Sequence, residues 1–443
     1  MDIKEKAKKF AIKAHMGQIR KSDPDKPLII HPISVGMMLE EYGYDDQVVA
    51  AGYLHDVVED TKYTVQDIEK EFGEDIANLV MTASEPDKSL SWEERKKDSI
   101  ERAKTLPLRN KLVICADKIN NMECLVIQFQ KEGKRDFSRF NRGEEQQKWY
   151  QTNIYKSLTF GEDKDLPIFK RLKKALDNLF DYKDDLYLRD TIFDDNKEYY
   201  EQLKRLHAQK LELVELKKLA KIKKPYVIEF SGTLRTGKTT TINNLYDFFK
   251  KAGFNISIIE EFTTSKEFKE KYKPKFKNNI EKYLIIIEKY ASLLEEELKN
   301  DNDIIIVDRS LNDRQIWNYT SYINGKMPKK IYLKTRNKYK KKSKEMIDCL
   351  VITFCDPLIS LKRDYNSSLV LEKRSFLNND NIEEYNNSLE SLKDLFKESV
   401  DKLLIIDTGF INIQDVSVDV ASQIMIEMRK KYIESFKEEY NLK

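Results

Sequence analysis

The chain has 443 residues, more than one ordinary hydrophobic core accommodates, so two or three domains are expected. Lys+Arg number 79 against Asp+Glu 76, and the net charge of +3 excludes the broad basic field that nucleic-acid binders use. No stretch approaches the roughly 18 apolar residues of a membrane span, and the opening MDIKEKAKKF is charged where a secretory signal is apolar, so a cytosolic protein without membrane contact is expected.

The first ~180 residues carry apolar positions at helical spacing. AIKAHMGQ, ISVGMMLEEYG and DQVVAAGYLHDVVED each read as a helix, and TVQDIEKEFG reads as one capped by Thr64 and ended by Gly73. LRNKLVICADKINNMECLVIQF is the longest and most apolar. Strand alternation is absent, so residues 1–182 are expected to form an all-α domain. Residues 183–223 are highly charged yet keep helical spacing and lack glycine and proline, which predicts a helical connector. From Tyr226 the pattern changes. YVIEFSG, NISIIEE, DIIIVD, LVITFC and KLLIID alternate with helical stretches, so residues 224–443 are expected to form a parallel sheet with helices on both faces. Cys115, Cys124, Cys349 and Cys355 lie in apolar surroundings without metal-type spacing and read as free thiols.

Histidine is scarce: of four, His15, His31 and His55 fall in the first 55 residues and His207 stands apart. In YLHDVVEDT, residues four apart share a helix face, which would stack His55 over Glu59 and Asp56 over Asp60. Imidazole with carboxylate suits Mn2+, Fe2+ or Zn2+. Two further candidate ligands are His31, in a turn before a helix opened by Pro32, and Asp117, a lone carboxylate in an apolar helix that needs a partner. Each residue alone is more often a cap or a surface charge. The ordered set is what points to a metal.

The segments AHMGQIRK, PLIIHPISV, YLHDVVEDT and ADKINNM, in that order over residues 3 to 160, closely resemble the hydrolase domain of RelA/SpoT-type alarmone enzymes, a branch of the HD phosphohydrolase superfamily. The resemblance implies an all-α fold holding one Mn2+ through His31, His55, Asp56 and Asp117. It implies that Glu59 and Asp60 orient or activate the attacking water, and that Arg20, Lys21 and Asn121 meet the guanine nucleotide or its phosphates. The implied reaction removes the 3′-pyrophosphate of ppGpp or pppGpp, giving GDP or GTP. The sequence departs from the family between Arg20 and His31, where KSDPDKPLII carries Leu28 in place of the usual aromatic, and a synthetase half is missing.

Residues 232–239, GTLRTGKT, match GxxxxGK[ST] between an apolar run and a helical stretch. That strand, loop and helix context is what cradling a phosphate requires. Gly232 and Gly237 would let the backbone bend, Lys238 would reach the β- and γ-phosphates, Thr239 would hold Mg2+ and Thr240 would meet the α-phosphate of ATP. Asp308 and Arg309 close one strand, and Glu260 and Glu261 close another, at the sheet edge where open α/β folds bind ligands. LISLKRDYNSSLVLEKRSF offers Lys362, Arg363, Lys373 and Arg374 for a lid. Residues 225–430 resemble the thymidylate kinase and deoxynucleoside kinase group, with DRS and KR...KR as the matching motifs. The resemblance implies Glu261, or else Glu260, as the base that takes the acceptor's proton.

The combined expectation is a bifunctional nucleotide enzyme with small-molecule partners and no nucleic acid, oligomerisation being left open. The alternatives are hydrolysis of another nucleotide phosphate, or a domain that senses a nucleotide without turnover and regulates the other.

Overall fold

The computed structural model describes residues 2–20, 23–84, 89–180, 197–273, 276, 278–367 and 379–442. The chain divides into two compact units, one of residues 1–221 with 432–443, the other of residues 222–431. Among the described residues, no helix is long and apolar enough to cross a membrane.

The first unit is almost wholly helical. Helices α1 (Ile3–Ala14), α2 (Ile30–Glu41), α3 (Asp46–Leu54), α4 (Val57–Asp60), α5 (Val65–Phe72), α6 (Glu74–Ala83) and α7 (Trp92–Thr105) precede the 25-residue α8 (Leu108–Glu132), which is followed by α9 (Glu144–Leu158) and α10 (Pro167–Phe180). Thr64 caps α5 through a reciprocal bond with Asp67, and Gly73 ends it at φ +90°, as the spacing predicts. Helix α8 is the spine: Leu112, Val113, Ile114, Cys115, Ala116 and Ile119 are buried, and α2, α3 and α10 pack on it. Each Leu, Val or Ile among them contributes about 1.5–3 kcal/mol when fully buried.

Three details differ from the helical expectation. A two-stranded antiparallel hairpin, β1 (Ile19–Arg20) with β2 (Asp23–Pro27), stands where only helix was expected. Its strands are too short for an alternating pattern to register. Helix α2 begins at Ile30, two residues before Pro32, so His31 lies inside its first turn. The 183–223 connector falls partly outside the described residues. Its described part forms α11 (Lys197–Leu219), which packs on α8 within the first unit, with Leu213 and Leu216 buried.

Helices α2 and α3 cross closely at two glycines. A Cβ on Gly36 would stand 2.3 Å from the Tyr53 ring, and one on Gly52 would stand 3.1 Å from Gly36 Cα. That approach brings the start of α2 and the end of α3, which carry His31 and His55, to one place.

The second unit is a five-stranded parallel sheet. Its strands are β3 (Tyr226–Gly232), β4 (Ile256–Ile259), β5 (Ile304–Asp308), β6 (Cys349–Phe354) and β7 (Lys402–Asp407), in the order β4-β5-β3-β6-β7. Its helices are α12 (Lys238–Lys251), α13 (Asn279–Glu297), α14 (Leu311–Ile323), α15 (Lys329–Met346), α16 (Pro357–Ser367), α17 (Asn379–Ser399) and α18 (Ile413–Glu439), the last of which belongs to the first unit from Tyr432 onward. Val227, Ile305, Leu350 and Ile352 of the sheet share a core with Ile286, Ile287, Tyr290 and Phe396. The central strand β3 is buried throughout and ends in the glycine loop, where neighbouring connections leave in opposite directions.

Candidate metal centre and phosphate loop

In the first unit, α2 supplies His31, the end of α3 supplies His55 and Asp56, and the middle of α8 supplies Asp117. Their donor atoms converge. His31 Nε2 and His55 Nε2 are 3.3 Å apart, and Asp117 Oδ1 is 3.2 Å from the first and 3.7 Å from the second. Asp56 brings Oδ1 to 3.1 Å from His55 Nε2 and Oδ2 to 3.5 Å from His31 Nε2. Donors about 2.1 Å from a shared ion lie about 3.0 Å apart at octahedral angles and about 3.4 Å apart at tetrahedral ones, so the observed separations fit one cation.

The outer bonds decide which nitrogens face the centre. His55 Nδ1 lies 2.9 Å from the Gly52 carbonyl, which can only accept, so the ring proton is on Nδ1. His31 Nδ1 donates likewise to Asn120 Oδ1 at 2.7 Å. Both Nε2 atoms are thereby turned inward, as metal-ligating imidazoles require. Burial opposes a charge on His55, but Asp56 and Asp117 outweigh it and raise its pKa well above the usual value, so a cation would take the place of that proton. His31, His55 and Asp117 each offer a donor atom within 4.8 Å of the others, and Asp56 lies beside both imidazoles. Burial opposes the charged form of Asp56, but His55 beside it outweighs burial and holds the carboxyl at about 2. Burial likewise opposes the charge on Asp117, while Lys118 at 2.9 Å and the two imidazoles bring its pKa well below the usual range.

One local expectation is corrected. His55 and Glu59 do not share a continuous helix: α3 stops at Leu54 and α4 starts at Val57. The Gly52 carbonyl, which would take the Asp56 amide in an unbroken helix, accepts the His55 ring N–H instead. Glu59 is half-buried and Asp60 exposed on this short second helix. Asn121 donates to Asp117 Oδ1 at 2.5 Å, so its amide touches a candidate ligand. Arg20 lies on β1, half-buried, with Nη1 3.7 Å from Cys124 Sγ. Lys21 lies outside the described residues. Asn120, which fixes the His31 tautomer, escaped the sequence reading: buried in an apolar helix, it was hidden beside Asn121.

In the second unit, Gly232 has φ +139°, and a Cβ there would lie 1.9 Å from the Thr353 carbonyl, so only glycine lets the backbone run here. Gly237 precedes α12, whose first residues are Lys238, Thr239 and Thr240. The two threonines are exposed, whereas Lys238 is buried with Nζ bonded to the carbonyls of Gly232 at 3.1 Å and Thr233 at 2.5 Å. Burial, with Arg309 adding to it, lowers the Lys238 pKa to about 7. These groups fit a triphosphate with its magnesium: a glycine-bent loop, a lysine amine and a helix start.

Arg309 has φ +62° and is clamped. Its Nη1 is 2.9 Å from Asp313 Oδ1 and its Nε is 3.2 Å from Glu261 Oε2. Asp313 also accepts from Ser231, Tyr385 and Arg314. The turn beneath is held by Glu229, a buried carboxylate of β3 that accepts from the backbone N–H groups of Ser310, Asn312 and Asp313. Burial of Asp308 pushes its carboxyl up. Glu261 is half-buried beside Arg309 and accepts from Thr263 at 2.6 Å, whereas Glu260 is exposed. Glu229 and Asp313 were missed, although a glutamate inside YVIEFSG and a second aspartate in DRSLND are charges where burial is expected. Of the expected lid, Lys362 is exposed on α16, and Arg363 donates to the carbonyls of Arg235 and Thr408. Lys373 and Arg374 lie outside the described residues.

The first unit thus combines a mainly helical frame with a His/His-Asp/Asp cluster, the make-up of an HD-type metal-binding domain. An HD domain family model matches residues 7–141. Two curated relatives named guanosine-3′,5′-bis(diphosphate) 3′-pyrophosphohydrolase MESH1 are similar to this chain. The one from Xenopus tropicalis is 42% identical over 122 residues, 27% of this chain and 67% of the relative, and the one from Drosophila melanogaster is 40% identical over 120 residues, 27% and 66%. The chain belongs to the HD-domain family that includes MESH1, and it spans about two thirds of the length of these relatives. A solved deoxyadenosine kinase from M. mycoides aligns with 44% of this chain and 95% of its own at 16% identity and a TM-score of 0.33, a likeness too slight to build on.

Proposed function

We propose that the chain is a bifunctional nucleotide enzyme: a Mn2+-dependent 3′-pyrophosphohydrolase of ppGpp and pppGpp in the first unit, and an ATP-dependent nucleoside or nucleotide kinase in the second. The observation that carries the first activity is the convergence of His31, His55, Asp56 and Asp117 on one cation-sized centre, with Glu59 and Asp60 on the next helix. A divalent ion held by these residues would supply an acidified water and withdraw charge from the phosphoryl oxygen. Glu59 and Asp60 orient that water and take its proton. Asn121 and Lys118 hold Asp117. Arg20 and Lys21 neutralise the substrate's phosphates, Arg by a two-pronged bond and Lys as a point charge. Asp56, at 21% the most exposed of the four ligands, marks the side from which the nucleotide arrives.

The kinase reading rests on the glycine loop ending a central parallel strand, with Lys238 buried behind it and Arg309 clamped at the adjacent strand end. Glu261 takes the acceptor hydroxyl's proton, and Arg309 meets the transferred phosphoryl group. Asp308 and Thr239 would hold Mg2+, Thr240 would meet the α-phosphate and Arg374 would bind ATP. Both activities are tested together by product analysis of Mn2+-loaded protein incubated with ppGpp and ATP, then with a nucleoside panel. Release of pyrophosphate and GDP supports the first half. Unchanged ppGpp whose presence alters the kinase rate would favour a sensor, and faster cleavage of ordinary nucleotides would change the substrate.

A further inference from the structure

Helix α4 carries Glu59 and Asp60 on a single turn, and one turn has too few bonds of its own to hold a fixed direction. Within it, the Asp60 N–H donates to the Asp56 carbonyl at 2.9 Å and the Thr61 N–H to the Val57 carbonyl at 3.2 Å. Its start is fixed by Asp56, one of the four candidate ligands. At its end the Asp60 carbonyl has no place in the helix, as the last carbonyls of any helix have none. Gln18 supplies the missing donor: its Nε2 bonds to the Asp60 carbonyl at 2.7 Å. A carbonyl only accepts, so the NH2 faces Asp60 and Gln18 Oε1 faces His15 Nδ1, also at 2.7 Å, and accepts from it. His15 is buried at the end of α1, which holds the amide from behind. The Gln18 backbone reaches further. Its carbonyl accepts from the Leu28 N–H at 3.0 Å, and the Leu28 carbonyl accepts from the His31 N–H at 3.0 Å. Arg20 stands two residues beyond Gln18, on β1. One residue thus ties the Glu-Asp turn, the strand that carries Arg20 and the backbone of a candidate ligand.

We propose that Gln18 is a positioning residue that sets α4 in register with the Arg20 strand, so that Glu59 and Asp60 meet the water while Arg20 meets the phosphates. The assignment rests on the hydrolase reading and deepens it by a residue outside the ligand, acid and phosphate-binding sets. The Gln18 side chain is taken up by Asp60 and His15, so it acts through the Asp60 backbone. Register matters because a reacting group displaced by about 1 Å costs on the order of 100-fold in rate.

Two substitutions separate the Asp60 link from packing on His15. Gln18→Glu keeps an oxygen for His15 Nδ1 but brings no N–H to the Asp60 carbonyl and sets a second oxygen against it. Gln18→Met fills similar space and removes both side-chain bonds. Neither touches the backbone bond to Leu28, so the Arg20 strand keeps its place. With Mn2+ and ppGpp, Gln18→Glu is expected to lose about 10- to 100-fold in kcat, with KM and Mn2+ affinity close to wild type, and Gln18→Met to show a loss of the same kind. A readout independent of turnover is hydrogen exchange at the Asp60 and Thr61 amides of the intact Mn2+-loaded protein, which should quicken in both variants while the amides of α2 keep their rates. Wild-type kcat in Gln18→Glu, a loss confined to Gln18→Met, a fall in Mn2+ affinity that matches the fall in kcat, or unchanged exchange at Asp60 and Thr61 overturns the proposal. If the wild-type protein cleaves neither ppGpp nor other nucleotides, the hydrolase reading falls, and the exchange rates alone decide whether Gln18 holds the turn.

Discussion

His31 and Asn120 form a buried pair, the imidazole Nδ1 donating to the amide oxygen at 2.7 Å, and this bond leaves His31 Nε2 as the inward lone pair. Asn120 touches no other candidate ligand, so its effect on the metal passes through His31. Replacing Asn120 with Ala leaves the imidazole N–H buried without its acceptor and frees the ring to adopt the other tautomer. Metal affinity should fall about 10- to 100-fold, the usual loss when such an outer partner is removed. Titration calorimetry with Mn2+ reads this directly, and an unchanged affinity would show that the pair does not set the tautomer.

His55→Ala should have a larger effect than Asn120→Ala. It removes a ligand that faces His31, Asp56 and Asp117 at 3.3, 3.1 and 3.7 Å and leaves two half-buried carboxylates with one imidazole. Mn2+ binding and ppGpp hydrolysis should both disappear, while ATP binding by the second unit persists. Full hydrolysis by a metal-depleted His55→Ala protein would refute the assignment.

What could be read beforehand was whatever depended on residue type and order. The His, His-Asp, Asp series and the Glu-Asp pair name the cluster because few other chemistries need those side chains in an apolar setting, and Gly232 and Lys238 name the phosphate loop for the same reason. Less legible were features that depend on one bond competing with another. The break between α3 and α4 arises because Gly52 O accepts the His55 ring instead of continuing the helix, and periodicity over DQVVAAGYLHDVVED does not register such a choice. The hairpin after α1 is hidden because β1 has two residues and β2 contains two prolines, Pro24 and Pro27. Charged α11 looked like a connector because its stripe of Leu213, Leu216 and Leu219 is narrow, yet that stripe suffices to pack it on α8. Asn120 and Glu229 escaped because a lone polar residue in an apolar run shows its purpose only when its partner is known.

Lys238 should reveal the phosphate loop through protons. Its pKa of about 7 in the free protein, against an ordinary 10.5, leaves the amine mostly neutral at pH 8. A triphosphate beside it favours the ammonium and raises the pKa again. ATP binding at pH 8 should therefore take up about one proton, and binding well below pH 7 should take up none. Calorimetry in buffers of different ionisation enthalpy measures the uptake, and Lys238→Met should abolish it along with phosphoryl transfer. Because the unfolded chain holds this proton up to higher pH than the folded one, the cost of burying the ammonium is full below pH 7. It is relieved as pH rises toward 10.5, so the group's contribution to stability rises with pH across that window.

Glu229 tests whether the clamp on Arg309 is built from below. Its Oε1 accepts from the backbone of Ser310, Asn312 and Asp313, and its Oε2 accepts from the Asn312 side chain at 2.9 Å. Burial pushes the carboxyl up to about 7 against the pull of those donors, so at pH 8 it is largely ionised, as a group facing only N–H donors must be. Glu229→Gln keeps the size but turns an NH2 toward N–H groups whichever way the amide is placed. At least one buried donor then loses its acceptor, which costs about 1–3 kcal/mol. Because Gln does not titrate, the loss should be larger at pH 6 than at pH 8, where the wild type no longer has the stability that its raised pKa contributes. The raised pKa already makes the native group's ionised form dearer in the fold than in the unfolded chain, so wild-type stability should itself decline from pH 5 toward pH 8 by this group. Chemical denaturation of both proteins at pH 6 and pH 8 measures the difference. Because Ser310 follows Arg309 directly, the variant should also weaken phosphoryl transfer at pH 8 more than ATP binding. Equal stability of the two proteins at pH 8 would mean that the turn holds Arg309 without the carboxylate beneath it.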